Sequence, residues 1–183
     1  MADTRSNIIV LAEKLIRTKG YNGFSYKDIS SVLKIKNAAI HYHFPSKTDL
    51  GTAVIQRNRE EFRQLVDQMN TKMDVNEKLN KFIAIYTKSH KNGLVCFMGA
   101  LGPSFDHLST EMQHELKLAG LEIRKGLKDI LDEGKKSAQF TFQGSSQAQA
   151  DTIIASLLAS LILNKVTGEN ILKNTIEQIK KNI

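Results

Sequence analysis

The chain has few of the residues that cross-link a fold or interrupt helices. Its 183 residues include one cysteine, Cys96, two prolines, Pro45 and Pro103, and no tryptophan. A single cysteine excludes a disulfide within the chain and most cysteine-based zinc sites. No apolar segment near the start resembles a signal peptide, so we expect a cytoplasmic protein.

An apolar run long enough to cross a membrane is also missing. The longest run, residues 153–163, is interrupted by Ser156 and Ser160. It falls short of the roughly 20 residues that a bilayer requires. We therefore expect no membrane partner, and we interpret this run as a helix buried on most sides.

The charge is unevenly distributed along the chain. The formal net charge is +7 and the isoelectric point is about 9.4. Residues 1–50 carry eight Lys or Arg and four Asp or Glu, a net charge of +4, whereas the remaining residues carry +3. A basic N-terminal part suits a polyanionic partner such as a nucleic acid.

Apolar residues recur at spacings of three and four along most of the chain, with no sustained two-residue alternation. This pattern predicts an all-α fold. The predicted helices span residues 6–18, 25–33, 36–43, 46–69, 75–91, 94–105, 109–137, 147–167 and 169–182. The segment QFTF at 139–142 has strand propensity but no pairing partner, so we expect a loop that packs its phenylalanines.

Residues 25–47, SYKDISSVLKIKNAAIHYHFPSK, have the pattern of two short helices joined by a tight turn. Ser25 can cap the first helix, whose apolar residues Ile29, Val32 and Leu33 share one face. After a turn at residues 34–35, the second helix buries Ile40. Two helices joined in this way form a helix-turn-helix, which reads DNA with its second helix.

The second helix is therefore the predicted recognition helix. Ile40 and the Phe44 that follows the helix are expected to face the core, so the opposite face of the helix is free. We expect the outward set to be Asn37, Ala39, His41, Tyr42 and His43. The alternative is a basic helical hairpin with no DNA partner, which the spacing and the local charge disfavour.

A first helix followed by F-S-x-x-D-I and I-H-Y-H-F-P-S-K-x-D-L resembles the TetR family of bacterial transcriptional regulators over residues 6–55. The matching positions are Phe24, Asp28, Ile29, Ile40, His43, Phe44, Ser46, Lys47 and Leu50. The resemblance implies a three-helix DNA-binding head with the helix-turn-helix, residues 1–50. It also implies a helical ligand-binding and dimerisation bundle, the body, at residues 51–183.

The resemblance implies DNA contacts at ten positions. They are Ser25, Tyr26 and Lys27 near the phosphate backbone, Lys36, Asn37, Ala39, His41, Tyr42 and His43 on the recognition helix, and Lys47 just after it. The chemistry agrees, because lysines suit phosphates, Asn37 suits an adenine edge and the Ala39 methyl suits a thymine methyl.

Two residues depart from the family pattern. Lys34 stands in the turn where the family usually has glycine, at a cost of roughly 1 kcal/mol if the backbone is left-handed there. Lys36 stands where the family usually has a Ser or Thr cap, so the recognition helix begins without a good capping side chain.

The body holds one further segment of interest, NGLVCFMGAL at residues 92–101. Its C-x-x-G-x-L portion resembles a subset of the family in which some members sense reactive electrophiles through the cysteine. Cys96 is therefore a candidate sensor. The alternative is an inert core cysteine, because burial raises the pKa of a thiol and suppresses the thiolate.

Apolar side chains of the body are expected to line a cavity for a largely apolar effector. The predicted ligand-binding residues are Phe82, Tyr86, Cys96, Phe97, Met98, Phe105, Met112 and Leu121. Core packing alone explains each of them equally well. The wide apolar faces of the last two helices suggest a homodimer interface.

The sequence gives little sign of metal or enzyme chemistry. His107, Glu111 and His114 are spaced by four and three and could offer a metal three ligands, but a solvated helix face is the favoured interpretation. We expect no metal, no cofactor and no catalytic residue, since no phosphate loop or nucleophile motif is present.

The sequence thus predicts a repressor that a small molecule or a reactive electrophile releases from a palindromic double-stranded DNA operator. The alternative is a helical small-molecule-binding protein or enzyme with an idle DNA-binding head.

Overall fold

The computed structural model describes residues 3–69 and 72–183, and this part of the chain contains nine α-helices and no β-strand. The helices are α1 (Thr4–Lys19), α2 (Tyr26–Leu33), α3 (Asn37–His43), α4 (Lys47–Asp67), α5 (Val75–Lys91), α6 (Phe97–Leu101), α7 (Thr110–Lys136), α8 (Ser146–Thr167) and α9 (Ile171–Lys181). Two 3-10 segments span Tyr21–Gly23 and Gly102–His107. The predicted all-α fold is confirmed.

The predicted helix at 94–105 is wrong in its extent. α6 begins only at Phe97, because the thiol of Cys96 accepts a hydrogen bond from the Gly99 backbone N–H and so caps the helix start. Pro103 then lies at the beginning of the following 3-10 segment. By contrast, 139–142 forms the expected loop, with Phe140 and Phe142 buried.

The molecule has two hydrophobic cores, and the boundary between them does not fall at residue 50. The first contains the buried residues of α1 to α3, among them Ile8, Ile29 and Ile40, and it continues into the body through Phe97 and Met112. The second lies within the body and contains Phe62, Leu79, Phe82, Tyr86, Leu127, Leu131, Ile153, Leu157 and Leu172. The head is therefore built on part of the body, and the division at residue 50 stays a prediction.

The long helices α4 and α7 pack closely where each contributes a glycine. A Cβ atom on Gly51 of α4 would lie 2.6 Å from the Met112 side chain, and one on Gly126 of α7 would lie 2.8 Å from the Phe62 ring. A larger side chain at Gly51 would therefore require the end of Met112 to move, and one at Gly126 would require the Phe62 ring to move. α4 thus joins the head to the body through close packing along α7.

α8 is less buried than the sequence indicates. Its 22 residues include an 18-residue window of mean hydropathy 1.4, which is long and apolar enough for a membrane span by length and composition only. Only 39% of that window is buried, which corrects our expectation of a helix buried on most sides. Apolar side chains at Ile162, Leu163 and Val166 remain exposed, the last to 77%.

Candidate DNA-binding site

The start of α2 is fixed by a reciprocal capping pair. The Ser25 backbone N–H and hydroxyl both donate to the Asp28 carboxylate, at 2.8 and 2.7 Å. These bonds, with that from Lys19, hold the pKa of Asp28 at about 2. Ser46 and Asp49 repeat the same box at the start of α4. Both helices that flank the recognition helix α3 therefore begin at defined residues.

The turn between α2 and α3 has the left-handed backbone that the sequence suggested. Lys34 has φ 54° and ψ 42°, a conformation that favours glycine. The Ile35 backbone N–H donates to the Ser30 carbonyl across the turn. Lys36 then precedes α3 without a side-chain cap, which confirms the second departure from the family pattern.

The exposed face of α3 differs from the predicted one at three positions. Asn37, His41 and Tyr42 are exposed, as expected, and Tyr42 is exposed to 84%. Ala39 and His43 are half-buried, because they lie on the side of α3 that carries the buried Ile40. Their predicted outward orientation is wrong, and Ala38 is exposed in place of Ala39.

The exposure of Ala38 could have been found from the sequence. It lies three residues before His41 and four before Tyr42, so these three side chains share one helix face. A second correction concerns Val32 of α2, which we expected to be buried beside Ile29. It is exposed to 63%.

Tyr26 is one of two predicted backbone contacts whose side chains bind the head itself. The carbonyls of Phe44 and Ser46, at 2.9 and 2.6 Å, share the single proton of its hydroxyl. Burial, with a smaller effect from the Asp49 charge, raises the pKa of Tyr26 to about 12. The hydroxyl therefore stays protonated and ties α2 to the segment that follows α3.

Lys47 is the second such residue. Its Nζ donates to the Phe24 carbonyl at 2.6 Å and lies over the Tyr21 and Phe24 rings, 4.9 and 4.4 Å from their centroids. Burial lowers the pKa of Lys47. Its ammonium is thus directed into the head, whereas Ser25, Lys27 and Lys36 are exposed.

The predicted ligand-binding residues do not surround one cavity. Phe82, Tyr86 and Cys96 belong to the body core, and Phe97 and Met112 to the core shared with the head. Phe105 packs against the shared core, and Met98 packs against both. Leu121 is exposed to 47% on α7, and its place in a cavity wall stays a prediction.

A small cleft of about 110 Å³ lies elsewhere in the body. Its walls contain none of the predicted residues; they are Asn76, Leu79, Asn80, Gln139, Phe140, Lys180 and Ile183. Its volume is below the 300 Å³ or more typical of a small-molecule site.

Cys96 is buried, with 8% of its surface exposed. Burial raises the pKa of its thiol, although the Gly99 hydrogen bond and the Arg17 charge oppose this effect. Such an environment suppresses the thiolate, which is the form that attacks electrophiles.

The alternative metal site has no support from the geometry. His107 lies in a 3-10 segment, whereas Glu111 and His114 belong to α7, so the three do not share one helix. Across 3–69 and 72–183, no group of three His, Cys, Asp or Glu side chains is placed to hold a metal ion.

The fold and the exposed recognition helix define a helix-turn-helix protein that binds DNA. A family model described as bacterial regulatory proteins, tetR family, matches residues 8–54. A TetR transcriptional regulator from Legionella pneumophila is 31% identical, with a TM-score of 0.89 over the whole of this chain and 98% of that one. The chain therefore belongs to the TetR family and is a DNA-binding transcriptional regulator.

Two further solved structures share the fold. A TetR-family regulator from Agrobacterium tumefaciens is 24% identical, with a TM-score of 0.89 over 97% of this chain and 96% of that one. The reduced form of NemR from E. coli is 20% identical, with a TM-score of 0.80 over 99% of this chain and 97% of that one. A search of curated protein sequences finds no match.

Proposed function

We propose that the protein is a homodimeric repressor that binds a palindromic operator and is released from it by a small-molecule effector. The observation that carries the proposal is the exposed face of α3, where Asn37, Ala38, His41 and Tyr42 lie together. A short helix with a polar exposed face fits the major groove, in which base edges can be read. Two copies related by a two-fold axis require two half-sites about 34 to 36 Å apart.

The contacts to DNA are divided between backbone and bases. Lys27 and Lys36 are exposed cations for phosphates, and the hydroxyl of Ser25 can add a neutral contact. Asn37 can pair with an adenine edge. Tyr26 and Lys47 support the site by holding α2, α3 and α4 together, since their polar atoms bind carbonyls within the head.

Selection of bound DNA from a random pool tests this function. We expect a palindromic consensus with two half-sites one helical turn apart or a multiple of it. Affinity for the selected site should fall steeply with salt concentration, because phosphate contacts release counterions. A pool that yields no consensus, or binding that is independent of salt, contradicts the proposal and favours a binding protein with an idle head.

The homodimer rests on the exposed apolar side chains of α8. Ile162, Leu163 and Val166 form a surface that two copies can cover by packing against each other. Leu163→Glu should convert the dimer to a monomer in sedimentation velocity. Val10→Glu, at an equally exposed apolar position of α1, should leave the dimer intact. If both variants sediment as the wild type does, α8 is not the interface.

The effector is proposed to act where the two cores meet. Met98 packs against both cores, so a small apolar molecule inserted beside it would separate them and move α4 relative to α7. Release requires the effector to bind the DNA-free state more tightly than the DNA-bound state. A compound that raises the melting temperature yet leaves operator affinity unchanged at fixed salt is not such an effector.

An electrophile is the second class of effector that the sequence suggested. The burial of Cys96 and its raised thiol pKa predict slow reaction with a thiol reagent in the native protein. If the native protein is labelled at Cys96 as fast as the urea-unfolded chain, Cys96 is reactive and an electrophile becomes a candidate effector again.

A further inference from the structure

His41 occupies a position from which a side chain can reach a base edge. It is exposed, and it follows Asn37 by four residues, so the two side chains lie one above the other on the outer face of α3. A neutral imidazole offers one donor and one acceptor, and the tautomer decides which ring nitrogen is which. The amide of Asn37 has no such choice of tautomer. Which nitrogen faces outward as an acceptor therefore decides which bases it can pair with.

The surroundings of His41 select one tautomer. Its Nδ1 lies 3.2 Å from the Pro45 carbonyl oxygen. A carbonyl oxygen can only accept a hydrogen bond, so Nδ1 must carry the proton. In the neutral ring the proton is then absent from Nε2, which becomes an acceptor.

A second contact holds the ring in this orientation. The Tyr26 ring lies 4.8 Å from the His41 ring, centroid to centroid, with an interplanar angle of 63°. Tyr26 is itself fixed by its hydroxyl, whose proton the carbonyls of Phe44 and Ser46 share. The imidazole is thus oriented before DNA binds, which reduces the entropy lost when it pairs with a base.

We propose that His41 is a specificity-determining residue that accepts a hydrogen bond through Nε2 from the amino group of adenine or cytosine and rejects guanine at that position. In the major groove adenine and cytosine present an amino donor, whereas guanine presents only the acceptors N7 and O6. An acceptor facing two acceptors is left unpaired, so guanine is disfavoured. The inference rests on the proposed operator binding and extends it to one base position.

Binding selections with single-residue variants test the proposal. The position that His41 reads is the one at which His41→Ala relaxes the wild-type consensus. We expect the wild type to bind adenine or cytosine there about tenfold more tightly than guanine, and His41→Ala to lose this preference. Asn37→Ala is the matched control on the same face and should relax a different position.

A second variant separates hydrogen-bond direction from folding. His41→Lys places a donor where the acceptor was and should prefer guanine at the same position, because a lysine donates to guanine N7 and O6. Each variant is compared with itself on operators that differ at this position. An added lysine that strengthens binding to phosphates raises its affinity for all of these operators alike, so it does not change the preference. Each base pair carries an adenine or a cytosine on one of its strands, so the decisive result is the change of preference between proteins. A His41→Lys variant that keeps the wild-type base pair in the same orientation, or a His41→Ala variant with the wild-type preference, overturns the proposal.

The tautomer can be measured without DNA. Long-range proton–nitrogen correlation spectra of the ¹⁵N-histidine-labelled protein should show His41 protonated at Nδ1 at a pH where the ring is neutral. Protonation at Nε2 alone overturns the proposal even if the operator selection succeeds. A selection that yields no consensus with the wild type contradicts the proposed function instead, so the two failures are distinguishable.

Discussion

Two arginines fix α1 and α4 against later helices and loops of the body, and they do so with different chemistry. Arg17 of α1 donates from Nε to the Val95 carbonyl at 2.9 Å and from Nη2 to the Ser89 hydroxyl at 2.6 Å. Arg59 of α4 forms ion pairs with two carboxylates of α7, those of Glu115 and Glu122.

The two connections differ in the charge of the groups that each arginine contacts. Arg59 faces opposite charges, so its contribution depends on the ionisation of its partners and on salt. Arg17 contacts neutral groups of the body, and its charge is balanced by Glu13 on its own helix. The α1 connection therefore depends on the position of the Val95 carbonyl, next to Cys96, whereas the α4 connection depends on charge.

The largest expected effect comes from removing the α4 connection. Arg59→Ala leaves the partly buried Glu115 without a cation and Glu122 with Arg63 as its only cation, so we expect the free energy of unfolding to fall by about 2 to 3 kcal/mol. Lys125→Ala is the control, since its pair with Asp129 is exposed on α7 and should cost no more than about 0.5 kcal/mol. Urea unfolding at one protein concentration measures both. Equal losses in the two variants would show that the α4 pairs add nothing special.

Removing the α1 connection should cost less. Arg17→Ala deprives the Val95 carbonyl and the Ser89 hydroxyl of a charged donor, for an expected loss of about 1.5 kcal/mol. Lys14→Ala, at an exposed position of the same helix, should change the unfolding free energy by less than about 0.5 kcal/mol. The same urea titration applies, and an Arg17→Ala variant as stable as the control would contradict the assigned contacts.

The smallest expected effect distinguishes the two connections by pH. The hydrogen bond from Arg59 lowers the pKa of Glu122. Burial alone would raise the pKa of Glu115, but its hydrogen bonds with Gln56 and Arg59 lower it overall. A carboxyl whose pKa is lower in the folded state stabilises the fold above its unfolded pKa and loses that contribution as the pH falls through the folded value.

We therefore expect the stability difference between the wild type and Arg59→Ala to shrink as the pH falls below about 5. The difference between the wild type and Arg17→Ala should change less, because the body partners of Arg17 do not titrate. Unfolding titrations of the three proteins at several pH values make the comparison. A parallel decline of both differences would mean that the two connections do not differ in chemistry.

The sequence was most informative where hydrophobic spacing or a capping pair decides the structure. Ile40 and Phe44 are buried because apolar side chains at that spacing face one core, and the Ser46 and Asp49 box marks the start of α4. The family motif lies in the same stretch, which explains why the head was predicted well.

The sequence was least informative where tertiary contacts choose between similar residues. Ala38 and Ala39 have the same side chain, so the residue type does not separate them. Helical spacing from His41 and Tyr42 places the first on the exposed face, and the packing of α3 leaves the second half-buried. Val32 has the right spacing for burial beside Ile29, yet it is the next residue, Leu33, that packs against the first core.

Long polar side chains were the second source of error. Tyr26 and Lys47 reach carbonyls 18 to 23 residues away in sequence, and no local pattern predicts such a bond. The same holds for Arg17, whose partners in the body lie more than 70 residues further along the chain.

The length of α4 converts a small tilt of the helix into a large displacement at its end beside α3. Its 21 residues, at 1.5 Å each, make a rod of about 31 Å, with one end beside α3 and the rest packed along α7. A tilt of about 5° around the far end of such a rod displaces the near end by roughly 3 Å, close to the 3.4 Å step between base pairs. In a dimer, two such rods would double the change in span. An adjustment of the body no larger than a methyl group could then shift the recognition helices out of register with DNA.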